Sequence, residues 1–287
     1  MASEKVLVLG SNGMLGQELS RVFGAAKKYE VGGWDKEEID LTDFASAERK
    51  IKEYAPKIIL NAVAYNAVDQ CEEDDEEYTK ALALNAEAPE FLARLAKNID
   101  AILVHYSTDY VFDGKNTQGY AENAKPNPIS KYGTSKRDGE KNVLMIDGKN
   151  YLIRLSKLFG KPASSAGGKR SFFEKMLEAA GEKSEVSAVD DEKSYFTYAP
   201  DLAQATRDLI QDNASYGIYH LPNSGAATWY GAAKELFRLA GVDVSVKAVS
   251  AGVFSRAARR PKYSVLLNTK RPVLRSYVEA LKEFLEK

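Results

Sequence analysis

Val6-Leu-Val-Leu9 runs into Gly10-Ser-Asn-Gly13-Met-Leu-Gly16, and then into a stretch whose apolar residues Leu15, Leu19, Val22 and Phe23 fall at helical spacing. The first run is short, apolar and partly β-branched, which suits a strand buried on both faces. Three glycines, each three residues from the next, separate it from the helix. Gly10 permits a tight turn, Gly13 lets the backbone approach a pyrophosphate, and Gly16 lets the helix pack close to the strand. The helix N-terminus adds unpaired N–H groups and the positive end of its dipole. Asn12 stands inside the turn, and Met14 and Leu15 open the helix. A strand before and a helix after make this spacing a signal for a dinucleotide. Asp35 lies 19 residues after Gly16, at the end of a second strand predicted over Tyr29–Trp34. An acid there accepts from the adenosine ribose, which favours NADH, whereas Lys36 beside it tolerates the extra phosphate of NADPH.

Outward from the turn, strand-like runs alternate with helical ones. Ile58-Ile-Leu60 and Ala101-Ile-Leu-Val-His105 resemble the first strand. Leu82, Ala86, Phe91, Leu92 and Leu95 form a helical stripe despite Pro89. A helix near Tyr132–Met145 and a strand near Tyr151–Ser156 continue the series. This alternation predicts an α/β fold, a Rossmann-type doubly wound parallel sheet with right-handed crossovers. The pattern loosens at Gly160–Gly168, which reads as a mobile loop. Helices near Ser171–Ala180, Tyr230–Leu239 and Leu274–Leu285 and a strand over Gly217–Leu221 follow. Residues 1–157 are expected to form the NAD(P)-binding domain, with about 197–221 returning to it. Residues 158–287 are expected to form mainly a smaller, interleaved substrate-binding lobe. The all-acidic run Glu72–Glu77 reads as a solvated face.

Composition narrows the function. Forty basic and 41 acidic residues among 287 leave a net charge of −1, so there is no long-range attraction to nucleic acid or an anionic membrane. The lone Cys71 and the distant His105 and His220 form no metal-ligand motif, and both histidines read as satisfied strand residues. No apolar run has the length of a membrane helix and no signal-peptide pattern opens the chain, so a cytoplasmic protein is expected.

Tyr132-Gly-Thr-Ser-Lys136 puts a phenol and an ammonium on one helix face, one turn apart. The ammonium favours the phenolate and so makes the phenol a better acid. Tyr230 and Lys234 share this spacing, but only Tyr132 lies in the alternating half, after a strand ending His105-Tyr-Ser107-Thr108-Asp109-Tyr110. Ligands of doubly wound sheets gather at such strand ends, where the Thr108 hydroxyl can donate to a carbonyl oxygen.

The glycine turn, Thr108 and Tyr132-x-x-x-Lys136 together resemble the extended short-chain dehydrogenase/reductase family. Asn61-Ala-Val-Ala-Tyr65, Ala67-Val-Asp69, Ser107-Thr-Asp-Tyr-Val-Phe-Asp-Gly114, Pro126-Asn-Pro128, Asp201-Leu-Ala203, Arg260-Pro261, Ser264-Val-Leu266 and Asn268-Thr-Lys270 are similar to segments of its dTDP-4-dehydrorhamnose reductases. The resemblance implies Tyr132 as catalytic acid, Lys136 as its activator and ribose ligand, and Thr108 as carbonyl partner. It implies Asp109, Tyr110 and Lys157 on the sugar, and Asp40, Leu41, Ala62, Ala64 and Tyr65 with the turn on the cofactor. It also implies a nucleotide-sugar substrate, a possible homodimer and possible Mg²⁺. The expected reaction reduces a 4-keto-6-deoxysugar with NADPH or NADH. Sugar epimerases and dehydratases are an alternative, but relatives that dehydrate carry Thr-Asp-Glu where this chain has Thr108-Asp109-Tyr110. A regulatory NAD(P)-binding subunit, like the β-subunit of methionine adenosyltransferase, is another. The subfamily's Trp is replaced by Lys157, and its Gly-Ser-Pro-Thr segment by Lys193-Ser-Tyr-Phe-Thr197. Arg259, Arg260 and Lys262 read either as phosphate ligands or as surface charge.

Overall fold

The fully buried apolar run Val6–Leu9 anchors the architecture of the computed structural model, which describes residues 3–164 and 170–286. The chain begins β1 (Glu4–Leu9), α1 (Met14–Gly24), β2 (Tyr29–Trp34), α2 (Phe44–Tyr54) and β3 (Ile58–Asn61). Next come α3 (Val68–Glu73), α4 (Asp75–Leu82), α5 (Ala88–Asn98), β4 (Ile102–Thr108), α6 (Lys131–Met145) and β5 (Asn150–Leu155). The second half holds β6 (Leu158–Phe159), α7 (Phe172–Glu182), β7 (Glu185–Val189), β8 (Lys193–Ser194), β9 (Thr197–Tyr198), α8 (Ala199–Gln211) and β10 (Gly217–His220). It closes with β11 (Asn223–Ser224), β12 (Ala227–Thr228), α9 (Trp229–Ala240), β13 (Ser245–Val249), β14 (Leu274–Ser276) and α10 (Tyr277–Leu285).

Six strands form one sheet in the order β10-β5-β4-β3-β1-β2, and every pairing is parallel. Side chains on successive strand residues point to opposite faces. Val6 and Val8 therefore join one core with Leu19, Phe23 and Leu202, while Leu7 and Leu9 join another with Ile51, Leu92 and Leu103. Helices cover both faces, as a doubly wound sheet requires. Strand order reverses between β1 and β3, so a crevice opens at their carboxyl ends, where such sheets hold ligands. The chain returns late to this sheet. α8 supplies Leu202, Ala203 and Leu209 to the core that holds Leu19 of α1, and β10 pairs with β5 from Gly217↔Tyr151 to His220↔Arg154. A separate core of Phe159, Phe173, Phe196, Leu236 and Leu281 underlies the smaller lobe.

Several local expectations need correction. Leu274–Ser276 is a strand, not the start of the last helix. Ser276 caps α10 through a reciprocal box with Glu279, so the helix starts at Tyr277. The stripe around Pro89 is α4 and α5 joined by a π-helical turn at Ala83–Glu87, which brings Pro89 into the first turn of α5. Proline is tolerated there because its missing N–H is not needed. The acidic run is only partly a solvated face. Glu72 accepts from the Lys131 backbone N–H at 2.7 Å, and Asp75 pairs with the Lys131 ammonium at 2.7 Å. The small-residue stretch Gly160–Gly168 falls outside the described residues after Ser164. Among the described residues no helix is long and apolar enough to cross a membrane.

Candidate active site

Gly10 adopts φ +76°, which favours glycine. A Cβ on Gly16 would lie 2.0 Å from the Gly10 carbonyl oxygen, so α1 packs against the turn as only glycine permits. Gly13 is the N-cap of α1 and offers its amides no side-chain acceptor, and the first turn carries no acidic residue. This leaves a helix N-terminus suited to a pyrophosphate. Asp35, just past β2, folds back on the turn. Its carboxylate accepts from the Asn12 N–H at 3.0 Å and from the Lys36 N–H at 2.8 Å. A cavity of about 580 Å³ lies beside it, lined by Ser11, Asn12, Gln17 and Gly33. Asp40 is held by the Thr42 hydroxyl at 2.7 Å, which keeps its carboxyl below the usual range, and Leu41 is buried.

The segment after β3 starts on the same sheet edge. The Ala62 N–H donates to the Leu9 carbonyl at 3.0 Å, and Ala62 and Ala64 are half-buried. The Tyr65 backbone is clasped by the Asn85 amide, which accepts from the N–H at 2.9 Å and donates to the carbonyl at 3.0 Å. The Tyr65 hydroxyl donates to Glu77, and Tyr65 packs with Cys71, Ala81, Tyr110 and Tyr132. Asn85 sits in the π turn and also donates to Ser135 of α6 at 3.0 Å. It was not singled out in the sequence. The legible trace is Gly139, where a Cβ would lie 2.0 Å from the Asn85 carbonyl oxygen.

α6 begins at the Ser130 cap and buries Tyr132 and Lys136 on one face. Tyr132 meets Tyr110 edge-on at 5.8 Å. Its hydroxyl donates to Asn66 Oδ1 at 3.4 Å, with Thr108 at the end of β4 nearby. Burial raises the phenol well above its ordinary value, opposed by the nearby Thr108 hydroxyl. Lys136 lies on the same helix face one turn on. Its Nζ donates to the Tyr106 carbonyl at 2.7 Å, and burial lowers its pKa to about 8 against the pull of Glu140.

Thr108 donates to Asp109 Oδ1 at 3.2 Å and accepts from the Tyr110 N–H at 3.2 Å. Asp109 Oδ2 accepts from Ser264 at 2.5 Å, and burial raises the carboxyl to about 6. Thr108 stands opposite Leu155 in the sheet, so the two chains leave the sheet edge side by side. Two residues on, Lys157 has φ +40°. Its buried Nζ has no hydrogen-bond partner among the described residues and lies 3.9 Å from the Trp229 ring centroid and 4.8 Å from that of Phe196. Burial pulls its pKa to about 7, opposed by Asp109 and Glu192.

Two further expectations, at His105 and Arg260, change, while His220 agrees with its reading. His105 is only half satisfied: Nδ1 meets Asn61 at 3.1 Å, while Nε2 has no partner among the described residues. His220 is bonded at both nitrogens, to the Leu267 carbonyl and to Arg154. Arg260 is neither surface charge nor free for phosphate, because both its terminal nitrogens bind Asp69 at 2.6 Å. It lines a second cavity of about 420 Å³ with Lys115, Arg256, Arg259 and Lys262. Among the described residues no three acidic, histidine or cysteine side chains are placed to hold a metal ion.

The family description "RmlD substrate binding domain" matches residues 4–287. The spore coat polysaccharide biosynthesis protein SpsK of Bacillus subtilis (strain 168) is 36% identical, over 98% of this chain and 97% of its own length. The dTDP-4-dehydrorhamnose reductase of Streptomyces griseus is 36% identical over 91% of this chain and 84% of its own. The solved dTDP-4-dehydrorhamnose reductase of Bacillus anthracis, in complex with NADP, is 33% identical, with TM-score 0.92 and 99% of each chain covered. With its glycine turn, doubly wound sheet and full-length match, the chain belongs to the dTDP-4-dehydrorhamnose reductases, nicotinamide-dependent oxidoreductases of the extended short-chain dehydrogenase/reductase family.

Proposed function

We propose that this protein reduces the 4-keto group of a nucleotide-linked 6-deoxysugar, dTDP-4-dehydro-L-rhamnose, to give dTDP-L-rhamnose. The observation that carries the reading is the burial of Tyr132, Lys136 and Thr108 together, at the carboxyl edge of the sheet that also carries the glycine turn. When bound, the reduced nicotinamide supplies a hydride to the carbonyl carbon. Gly10, Asn12, Gly13, Met14, Leu15 and Gly16 offer the turn and helix amides for its pyrophosphate. Asp35 favours a free ribose, while the B. anthracis relative was solved with NADP, so either dinucleotide is a candidate.

Tyr132 gives its proton to the oxygen as negative charge develops there. Burial holds that proton on the phenol until an oxyanion demands it. Thr108 steadies the same oxygen from the strand end. Lys136 brings a positive charge to the floor of the site from its seat on the Tyr106 carbonyl. Asp109, Tyr110 and Lys157 line the sugar side. Arg259 and Lys262, which line the second cavity, suit the nucleotide's phosphates.

The direct test offers dTDP-4-dehydrorhamnose with NADH or NADPH and follows loss of the reduced-nicotinamide absorbance. Stoichiometric oxidation with formation of dTDP-rhamnose supports the reading. Absence of oxidation with both dinucleotides sinks it.

A further inference from the structure

A buried donor without an acceptor is costly to keep, so each one in a native protein calls for a reason. Two such donors are consecutive in this chain. The Ser156 hydroxyl and the Lys157 ammonium are both buried, and neither has a hydrogen-bond partner among the described residues. They follow β5 at the carboxyl edge of the sheet. Leu155 stands opposite Thr108 there, so Lys157 leaves the edge beside the carbonyl's partner in the reductase reading.

The smaller lobe fixes this place. Thr197 Oγ1 donates to the Ser156 carbonyl at 2.6 Å and accepts from the Ser156 N–H at 3.2 Å. The Thr197 N–H donates to the Lys157 carbonyl at 3.3 Å. Stapled in this way, Lys157 takes the left-handed φ of +40°, which is costly for a residue with a side chain. Its Nζ lies 3.9 Å from the Trp229 ring centroid and 4.8 Å from that of Phe196. Aromatic faces tolerate a cation but accept hydrogen bonds only weakly. The ammonium thus keeps its N–H donors inside a wall of rings.

That wall borders the route between the two ends of the substrate. The Trp229 indole N–H donates to Glu192 Oε2 at 3.0 Å, and Glu192 lines the second cavity with Arg259 and Lys262. In the reductase reading the nucleotide's phosphates occupy that cavity and the carbonyl stands at Thr108. A sugar joining the two passes Trp229 and meets the ammonium where the indole now rests. Its C4 is the reacting carbon. Of the two ring neighbours of C4, C5 carries a methyl group and C3 a hydroxyl. An ammonium only donates, so the oxygen is the substituent it can recognise.

We propose that Lys157 is a specificity-determining residue, whose ammonium donates to the 3-hydroxyl of the sugar and selects hydroxylated over 3-deoxy substrates. The inference rests on the reductase reading and adds to it the substituent that is recognised. An analogue without that hydroxyl leaves the buried ammonium with no acceptor, and such a site rejects it strongly. The rings add to the effect, because a hydrogen bond to a charge strengthens away from water.

The experiment measures kcat/KM for dTDP-4-dehydrorhamnose and for its 2-deoxy and 3-deoxy analogues, with NADPH or NADH, in the parent, Lys157→Met and Lys157→Arg. The parent is expected to favour the full sugar over the 3-deoxy analogue by about 10- to 100-fold. Lys157→Met, which keeps the length and loses the donor, is expected to lower that ratio by about 10-fold or more, with the 2-deoxy ratio unchanged. Lys157→Arg retains a charged donor and should keep part of the 3-deoxy preference. Lost packing or stability lowers all three substrates together and leaves the ratios alone. A 3-deoxy ratio that Lys157→Met does not move overturns the assignment, as does a parent that accepts the 3-deoxy analogue equally, or a change at the 2-deoxy ratio instead. A parent that turns over none of the three sugars overturns the reductase reading itself.

Discussion

Arg154 and Glu140 form a fully buried ion pair, with Nη2 and Oε2 2.6 Å apart and side chains 1% and 2% exposed. The bond ties β5 to α6, one turn beyond Lys136. Glu140 also accepts from Arg154 Nε at 2.8 Å and from Ser107 at 2.6 Å, so three polar groups depend on it. Removing one partner of such a pair strands the other charge in the interior, at a cost of about 3–5 kcal/mol. Glu140→Gln is expected to lose stability on that scale in denaturant unfolding. Replacing both residues by apolar ones of similar volume is expected to cost less. A Glu140→Gln protein as stable as the parent would contradict this account.

Tyr132→Phe keeps the edge-on contact with Tyr110 and removes only the hydroxyl. Turnover of the keto-sugar is expected to drop by about 10²–10⁴-fold, the usual contribution of a positioned acid. Dinucleotide binding, read by fluorescence titration, is expected to stay within a few-fold of the parent. Loss of both together points to misfolding instead.

Gly16→Ala places a methyl 2.0 Å from the Gly10 carbonyl oxygen, and the obstacle is backbone that has no rotamer to yield. Dinucleotide affinity and thermal stability should both fall. Gly181→Ala is the matched control. Its Cβ meets nothing within 4 Å, on a helix, so stability should hold or rise by about 0.5–1 kcal/mol.

The Asp69–Arg260 clamp predicts an acid-sensitive contact. The guanidinium holds the Asp69 carboxyl below its usual range, opposed by burial. Its folded pKa is therefore depressed, so the contribution is present above the unfolded pKa and fades as pH falls through the folded one. Asp69→Asn should be less stable than the parent at neutral pH, and the gap should narrow as pH falls below the ordinary Asp range. Parallel denaturation curves at all pH values would remove the clamp from the account.

Asp35 accepts two backbone N–H groups where the adenosine ribose of a bound dinucleotide is expected. Its charge disfavours a 2′-phosphate. Asp35→Asn should raise kcat/KM for NADPH relative to NADH by about 10-fold, comparable to one charged contact. An unchanged ratio would place the discrimination elsewhere.

The half of the fold built on local pattern was open to reading. β1, the glycine turn and α1 follow from periodicity within a few residues, and so did the strand runs at Ile58 and Ile102. What escaped depends on partners far along the chain. Asp69 and Arg260 are 191 residues apart, and nothing local pairs them. The π turn around Asn85 exists because that side chain reaches Tyr65 and Ser135, not because Ala83–Glu87 favours it. Lys136 sits at the expected spacing, yet its ammonium follows the nearest buried carbonyl. The departure at Lys157 was visible as a residue, but its aromatic seat needed Trp229 from another lobe.

The late return of β10 bears on how the protein is made. Until residues 217–220 leave the ribosome, β5 has no neighbour on one side, and its unpaired amides and carbonyls are open to any passing strand. The nascent nucleotide-binding half must therefore wait, shielded or at risk of aggregation, for more than sixty further residues to be translated before its sheet is complete.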